Sequence, residues 1–300
     1  MNGIIIINKP QGYTSHDVVA KVKKILEVKK VGHTGTLDPN ATGVLPLLLN
    51  DGTKLSKYLI EHDKEYDVTL KLGIKTDTAD GEGNIIEKEE IQIEKYTKEN
   101  IVEVLKSFIG KSNQIPPMYS AIKVNGKKLY EYARSGQTVE IEPRQIEIYS
   151  IELLNINQKE NEIKFKVECS KGTYIRSLCE DIAKKLNTIG YMKELNRTKV
   201  GRFKIENSIT MDELEKIKQE NNEKELQKNI ISMEELLKNL PKVTLEEKEL
   251  EKFLNGVKVN INKVEKEETL YNVYSSNKYI GTGIAKNDTI KRDIIIKNIE

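Results

Sequence analysis

The sequence concentrates its chemistry on Asp38, in the stretch VGHTGTLDPNATGVLPLLL at residues 31–49. An aspartate can act as a nucleophile, move a proton or help to hold a metal. Here it is the one acid of its loop, with glycines on either side and Pro39 fixing the next residue. The apolar run Val44, Leu45, Leu47, Leu48 and Leu49 pins the loop to a core. A metal site would need more carboxylates or imidazoles, and His33 is the one such group nearby. No Gly-Lys-Ser/Thr closes the loop, so it is not a phosphate-binding P-loop. Thr36 stands where a paired-histidine nucleotidyl-transfer motif would need its second imidazole. What remains is a lone carboxylate on a rigid turn, which either caps that turn or carries chemistry. A second acidic cluster, TDTADGEG at 76–83, sets Asp77, Asp80 and Glu82 beside glycines. Its spacing fails the calcium-loop pattern, with a glutamate missing at position 12. It reads as a polar turn, and no metal is expected.

The elements around these residues follow from periodicity. Gly3–Ile7 reads as a short buried strand and NKPQGYTS as a turn. Ser15 is placed to cap a helix whose Val18, Val19, Val22, Ile25 and Leu26 recur at helical spacing. Thr53–Ile60 reads as helical, Tyr66–Leu72 as an alternating strand, and Thr97–Ile109 as an amphipathic helix. Gln145–Ile156, Glu162–Cys169 and Lys193–Val200 are strand-like, with a helix at Tyr174–Leu186. Residues 111–138 differ from their surroundings: Pro116-Pro117, two glycine turns, three tyrosines, and five Lys/Arg against one acid. They suggest an extended hairpin and short helix projecting from the body. The acidic span 210–252 carries helical segments at Met211–Gln219, Ser232–Leu237 and Leu245–Asn255. KNLPKV at 238–243 reads as a linker. TLYNVYSS, YIGTGIA and TIKRDIIIKN then form a small C-terminal β module. The fold class expected is α/β in the broad sense (α+β): a central mixed, largely antiparallel sheet with flanking helices.

Composition bounds the function. Three hundred residues accommodate one large domain and a small one. Apolar residues make up 37% and charged residues 32%, with a mean hydropathy of -0.54. No apolar run approaches the roughly 20 residues that span a bilayer, and GIIIIN reads as a strand, not a signal peptide. Cys169 and Cys179 are the two cysteines, without ligand spacing, as expected of free thiols in a reducing cytosol. The net charge of +2 hides a segregation. Residues 164–204 hold eleven Lys/Arg against four Asp/Glu, whereas 206–252 hold eight against thirteen. A polyanion-binding protein has this distribution; a general lysine-rich bias is the plainer alternative.

Five segments occur in a particular order: NKPQGYTS, GHTGTLDPNATGVL, KEY at 64–66, GTYIRSL at 172–178 and ELNRTKVGRF at 194–203. This set closely resembles the bacterial tRNA pseudouridine-55 synthases, the TruB family, from Ile4 to about Phe203. The C-terminal module fits more loosely. The resemblance implies isomerisation of uridine-55 in the tRNA T loop: the base is flipped into a pocket, N1–C1′ is broken, and C5–C1′ is formed. No cofactor, metal or second substrate is implied. Asp38 would be the catalytic residue, as a nucleophile or as the base that starts glycal formation. Arg176 would hold that carboxylate ionised and aimed. Tyr66, the third catalytic residue, would stack on the base and be placed for proton removal at C5, although a phenol is a poor base at neutral pH. Tyr174 and Leu195 would wall the pocket, and His33 would fill space left by flipped bases. Lys9, in the same set of substrate-binding candidates, belongs with Pro10 to a motif that supports the loop.

The resemblance also makes 111–138 a thumb-like insertion. Its Lys123, Lys127, Lys128 and Arg134 would contact phosphates, and Tyr119 and Tyr130 would either stack on bases or pack within it. It implies a catalytic domain at 1–238 and a PUA-like RNA-binding domain at 241–300. The partner would be the tRNA T-stem loop, met by a cytoplasmic monomer with no obligate protein partner and no membrane association. Two rivals stand beside this reading. One is a guide-dependent, dyskerin-like synthase, against which the basic insertion argues. The other is an RNA-binding or RNA-folding protein whose catalysis is incidental, against which Asp38, Tyr66 and Arg176 argue together.

Overall fold

The computed structural model describes residues 1–59 and 62–296. Two apolar runs build one side of a ten-stranded sheet, next to the short edge strand Ile230–Ile231. Gly3–Lys9 pairs antiparallel with Thr42–Leu49, Gly3 opposite Leu49 and Lys9 opposite Gly43. Alternate side chains point to opposite faces of a sheet, and here both faces are covered. Ile5, Ile7, Leu45, Leu47 and Leu49 join the core under helices Ser15–Leu26 and Met211–Gln219, while Ile4, Ile6, Val44 and Leu48 join a second core on the other side. This double burial explains continuous apolar runs where a half-exposed strand would alternate.

From Thr42–Leu49 the sheet continues through Gly190–Val200, Lys64–Leu72, Glu162–Cys169 and Arg144–Asn157 to the edge strand Gly110–Gln114. Neighbours are antiparallel except at one seam, where Asn196 and Arg197 run parallel to Thr42 and Gly43. At Gly43 (φ 103°) a Cβ would run into the Arg197 carbonyl, so the close approach of the two strands needs glycine. Helices Lys98–Lys106 and Ile175–Lys185 cover the half-sheet beyond the seam, burying Ile101, Leu105, Leu178 and Ile182 against Leu70, Ile163 and Phe165. The architecture is therefore the expected α+β mixed sheet with flanking helices.

Residues 115–142 leave the sheet as a short hairpin, Lys123–Val124 with Lys127–Lys128, followed by the helix Leu129–Arg134. At the C-terminus, Lys242–Thr244 runs parallel to Val259–Ser275, which pairs antiparallel with Lys278–Ile295. Helix Glu247–Leu254 closes this small sheet over Phe253 and Val273. The module docks on the main body through Asp293, which takes hydrogen bonds from Lys57, Tyr58 (2.6 Å) and Thr282 (2.9 Å).

Three local expectations change. Thr14, not Ser15, caps the first helix: its Oγ1 accepts from the Asp17 N–H (3.1 Å), and its own N–H donates to the Asp17 carboxylate (2.9 Å), a reciprocal capping box. Ser15 is buried and turned to the Asp38 loop, accepting from the Leu37 N–H (2.9 Å) and donating to the Leu37 carbonyl (3.2 Å). The segment expected as the helix Thr53–Ile60 is a 3-10 turn, Asn50–Leu55, followed by one α-turn, Ser56–Leu59; Ile60 lies outside the described residues. The acidic span holds a further short helix, Glu223–Lys228. The last two residues of TIKRDIIIKN also lie outside the described residues. Among those residues no helix is long and apolar enough to cross a membrane.

Candidate active site

The loop Thr34–Ala41 joins strand Val31–His33 to Thr42–Leu49, directly over the parallel seam. Two buried cations carry it from beneath. Lys9 is 0% exposed and donates to the carbonyls of Pro39 (2.9 Å), Pro10 (3.0 Å) and Tyr13 (2.6 Å). Arg197, 1% exposed, donates to the carbonyls of Val44 (2.8 Å), Thr36 (3.3 Å) and Gly35 (3.2 Å). Charge-assisted bonds to carbonyls offset the cost of burying each cation. Together with the Ser15–Leu37 pair and the Gly12 N–H on the Pro39 carbonyl (3.0 Å), they fix the backbone on both sides of Asp38. Lys9 thus faces the loop backbone and not the cavity; its place among substrate contacts gives way to a positioning role, because its donors already serve three carbonyls. Burial holds its ammonium at about 8, against the pull of Asp38.

Asp38 retains 36% side-chain exposure, into a cavity of about 750 Å³. Its Oδ2 lies 3.3 Å from Arg176 Nε. Arg176 is the second residue of helix Ile175–Lys185, where a cation runs against the helix dipole; its partners hold it there. They are the Thr78 carbonyl (3.2 Å), the Tyr119 carbonyl (2.8 Å) and Asp80 Oδ2 (3.5 Å). The helix start is tied to the edge strand by Gln114, which bonds both the N–H and the carbonyl of Tyr174 (2.8 and 3.0 Å). Enclosure raises the Asp38 pKa above its ordinary value, more than Arg176 lowers it; Asp80 adds to the rise and Lys9 opposes it.

Tyr66, 7% exposed, sits directly opposite Arg197 in the sheet register, and Leu195 sits opposite Val68. Burial pushes the Tyr66 phenol up to about 12, although its hydrogen bond from Arg197 pulls the other way. A phenol so placed is a face for an aromatic ring and a poor base. Tyr66, Leu195, Tyr174, Ile175 and Met192 give the cavity apolar and aromatic walls beside Asp38 and Arg176. The structure thus brings Asp38, Arg176, Tyr66, Tyr174 and Leu195 to one cavity of nucleotide size.

His33 lies off the cavity, its ring edge-on to His16 with centroids 5.6 Å apart, and burial lowers its pKa. From the insertion, Tyr119 and Tyr130 line the same cavity. Tyr130 is also flanked by cations, Lys128 Nζ at 5.2 Å from its ring and Arg134 at 5.4 Å, while Lys127 sits 4.6 Å over Tyr132. Lys123 is exposed at the start of the hairpin.

Sequence reasoning missed Arg197, Asp80, and the lining cations Lys64, Arg144 and Lys171. Alternation carried a signal for Arg197, which shares its strand face with Leu195 two residues earlier. The acidic turn read as merely polar supplies Asp80, whose Oδ1 also accepts from Thr78 (2.6 Å) and the Glu82 N–H (3.0 Å). Among the described residues no three His, Cys, Asp or Glu side chains gather as a metal site would require.

Residues 23–175 match the family model described as TruB family pseudouridylate synthase (N terminal domain), and 176–238 match the tRNA pseudouridylate synthase B C-terminal domain. The class is pseudouridylate synthase. The tRNA pseudouridine synthase B of Clostridium tetani is 47% identical over 94% of this chain and 95% of its own length; that of Clostridium perfringens (strain 13 / Type A) is 47% identical over 96% of each. The chain belongs to the TruB family. Among solved structures, that of a Cbf5-Nop10-Gar1 complex superposes with a TM-score of 0.68 at 28% identity, covering 99% of this chain and 84% of that one. An H/ACA RNP bound to a substrate RNA containing 2′-deoxyuridine gives 0.70 at 26%, covering 99% and 86%.

Proposed function

We propose that this protein converts uridine-55 in the T loop of tRNA to pseudouridine, acting alone in the cytoplasm as a monomer. The observation that carries the reading is a carboxylate held by a buried arginine at the wall of a nucleotide-sized cavity, in a chain nearly half identical to tRNA pseudouridine synthases B over almost its full length. The uridine leaves its stack and enters the cavity, with its ring on Tyr66 and between Leu195 and Tyr174. Asp38 then starts the reaction, as nucleophile or as base; both routes use its ionised form, which Arg176 favours. The N1–C1′ bond breaks, the base turns, C5 bonds to C1′, the C5 proton leaves and N1 takes one up.

In this reading residues 1–238 are the catalytic domain and 241–300 a PUA-like module that adds RNA contacts. His33 occupies the space left in the opened loop. Lys123, Lys127, Lys128 and Arg134 meet phosphates of the T stem from the insertion at 111–138. Stacking on tyrosine leaves the N–H donors of Lys127 and Arg134 available for that contact, and Lys128, which gives one N–H to the Tyr130 hydroxyl (3.1 Å), keeps its remaining donors. The guide-dependent alternative has weaker support, since the likeness to the Cbf5 complexes is 26–28% identity against 47% for the bacterial relatives.

The test is tritium release from a tRNA transcript labelled at uridine C5, with the purified chain and no guide RNA or second protein. Release is expected, and is expected to vanish when the T-loop target is cytidine. No release until a guide RNA and partner proteins are supplied would favour the dyskerin-like reading instead.

A further inference from the structure

One hydroxyl in the cavity wall is not used by any group described so far. Ser120 is 5% exposed and lines the cavity that holds Asp38 and Tyr66. Its Oγ makes no hydrogen bond within the protein. Among the described residues four other buried side-chain atoms share that condition, on His33, Asp67, Asn272 and Tyr279, and none of those residues lines the cavity. A buried hydroxyl without a partner is costly, and native folds retain few of them.

The backbone that carries this hydroxyl is fixed from both sides. The Tyr119 carbonyl accepts from Arg176 Nη2 (2.8 Å), and the Ser120 carbonyl accepts from the Tyr130 N–H (3.1 Å). Ser120 is therefore fastened between the Asp38–Arg176 pair and the thumb helix. Several other donors around the cavity are engaged. Arg176 serves two carbonyls and two carboxylates, and Arg197 serves three carbonyls and the Tyr66 phenol. Lys64 donates to the His62 carbonyl, and Thr173 Oγ1 to the Ser170 carbonyl (2.9 Å). A pyrimidine laid on Tyr66 brings polar ring atoms into this space.

We propose, resting on the isomerase reading above, that the Ser120 hydroxyl donates a hydrogen bond to a ring carbonyl of the flipped uracil. The chemistry of the turn suits this donor. Rotation of uracil about the axis through N3 and C6 exchanges N1 with C5, and C2=O with C4=O. A donor fixed opposite one carbonyl before the turn meets the other carbonyl after it. One serine thus holds substrate and product in the same register, and the base need not leave the pocket to find its second orientation.

The test uses the full chain and T-loop transcripts carrying uridine, 2-thiouridine or 4-thiouridine at the target, because sulfur accepts hydrogen bonds poorly. Product is read by nucleoside analysis in single turnover, alongside tRNA Kd and thermal melting. Ser120→Ala is expected to slow the reaction about tenfold, the scale of one lost hydrogen bond, with Kd within twofold and an unchanged melt. Ser120→Thr, which keeps the hydroxyl, is expected to recover most of the rate. One thio substitution should slow the wild type by a similar factor and cost Ser120→Ala nothing further. A Ser120→Ala enzyme at wild-type rate, or losses that multiply for both thio positions, would overturn the proposal. A wild type silent on the uridine transcript would instead end the isomerase reading, and this proposal with it, whatever stands at position 120.

Discussion

The loop that carries Asp38 and the insertion at 115–142 both depend on lysines and arginines, but they use them in opposite ways. Beneath the loop, Lys9 and Arg197 are 0% and 1% exposed, and each donates to three backbone carbonyls. Their charge is turned inward, and no phosphate can reach it. On the thumb, Lys127 lies over the Tyr132 ring and Arg134 over that of Tyr130, while the Lys128 ammonium donates to the Tyr130 hydroxyl (3.1 Å); Arg134 is exposed and the two lysines are half-buried. The same residue types serve as fasteners in one region and as an electrostatic surface in the other. Burial and the supply of unpaired carbonyls decide which. Arg176 stands between these extremes, buried like a fastener yet touching the one carboxylate that opens into the cavity.

The comparison can be broken by substitution. Arg197→Met strips the arginine's donors from three buried carbonyls, and Lys9→Met strips the lysine's from Pro10, Tyr13 and Pro39, of which Pro39 keeps the Gly12 N–H; each change should cost on the order of 3 kcal/mol in urea unfolding. A loss below roughly 0.5 kcal/mol, typical of surface changes, would mean that neither cation fastens the loop. Arg176→Met should lower the single-turnover rate roughly 10- to 100-fold, the scale of a lost charged hydrogen bond. It also has a pH signature. Enclosure already raises the Asp38 pKa, and Arg176 is the largest influence opposing that rise. Without it the neutral acid gains further, so the rate, which needs the carboxylate, should be lost at a higher pH on acidification. A pH–rate profile whose acid limb stays in place would contradict the pairing.

Smaller effects belong to the thumb. Lys123→Ala combined with Lys127→Ala should raise the tRNA Kd and reduce the slope of log K against log salt by about 0.7–0.9 per lost phosphate contact. The rate at saturating tRNA and the unfolding free energy should hold. Arg134→Ala alone should weaken binding severalfold at low salt and less at high salt. Thumb variants that unfold as readily as Lys9→Met would erase the distinction between the two regions.

Much of this was legible in the sequence because it rests on local pattern. The run Ile4–Ile7 marks a strand buried on both faces, and Asp38 stands out as a lone acid on a Gly- and Pro-bounded loop. Other features depend on contacts that local pattern does not encode. Thr14 and Ser15 are equally able to cap a helix; burial against Leu37 decided between them. Arg197 in an alternating, lysine-rich strand looks like a solvated cation until its partner strand places it opposite Tyr66. Asp80 reaches Arg176 only because the turn after strand Lys64–Leu72 folds back on the helix start, a contact between residues 96 positions apart. The thumb was legible as a basic hairpin and helix, but the stacking of its cations on Tyr130 and Tyr132 required coordinates.

The central claim is that the carboxylate of Asp38 performs the chemistry while the surrounding protein binds the RNA. Asp38→Asn keeps the shape of that side chain and removes its charge. Single-turnover tritium release and tRNA Kd, measured on the same preparations of wild type and variant, test the claim most directly. The account predicts release below detection for Asp38→Asn, with a Kd within a few-fold of wild type. Release at a rate near that of wild type would contradict it and move the chemistry to another residue.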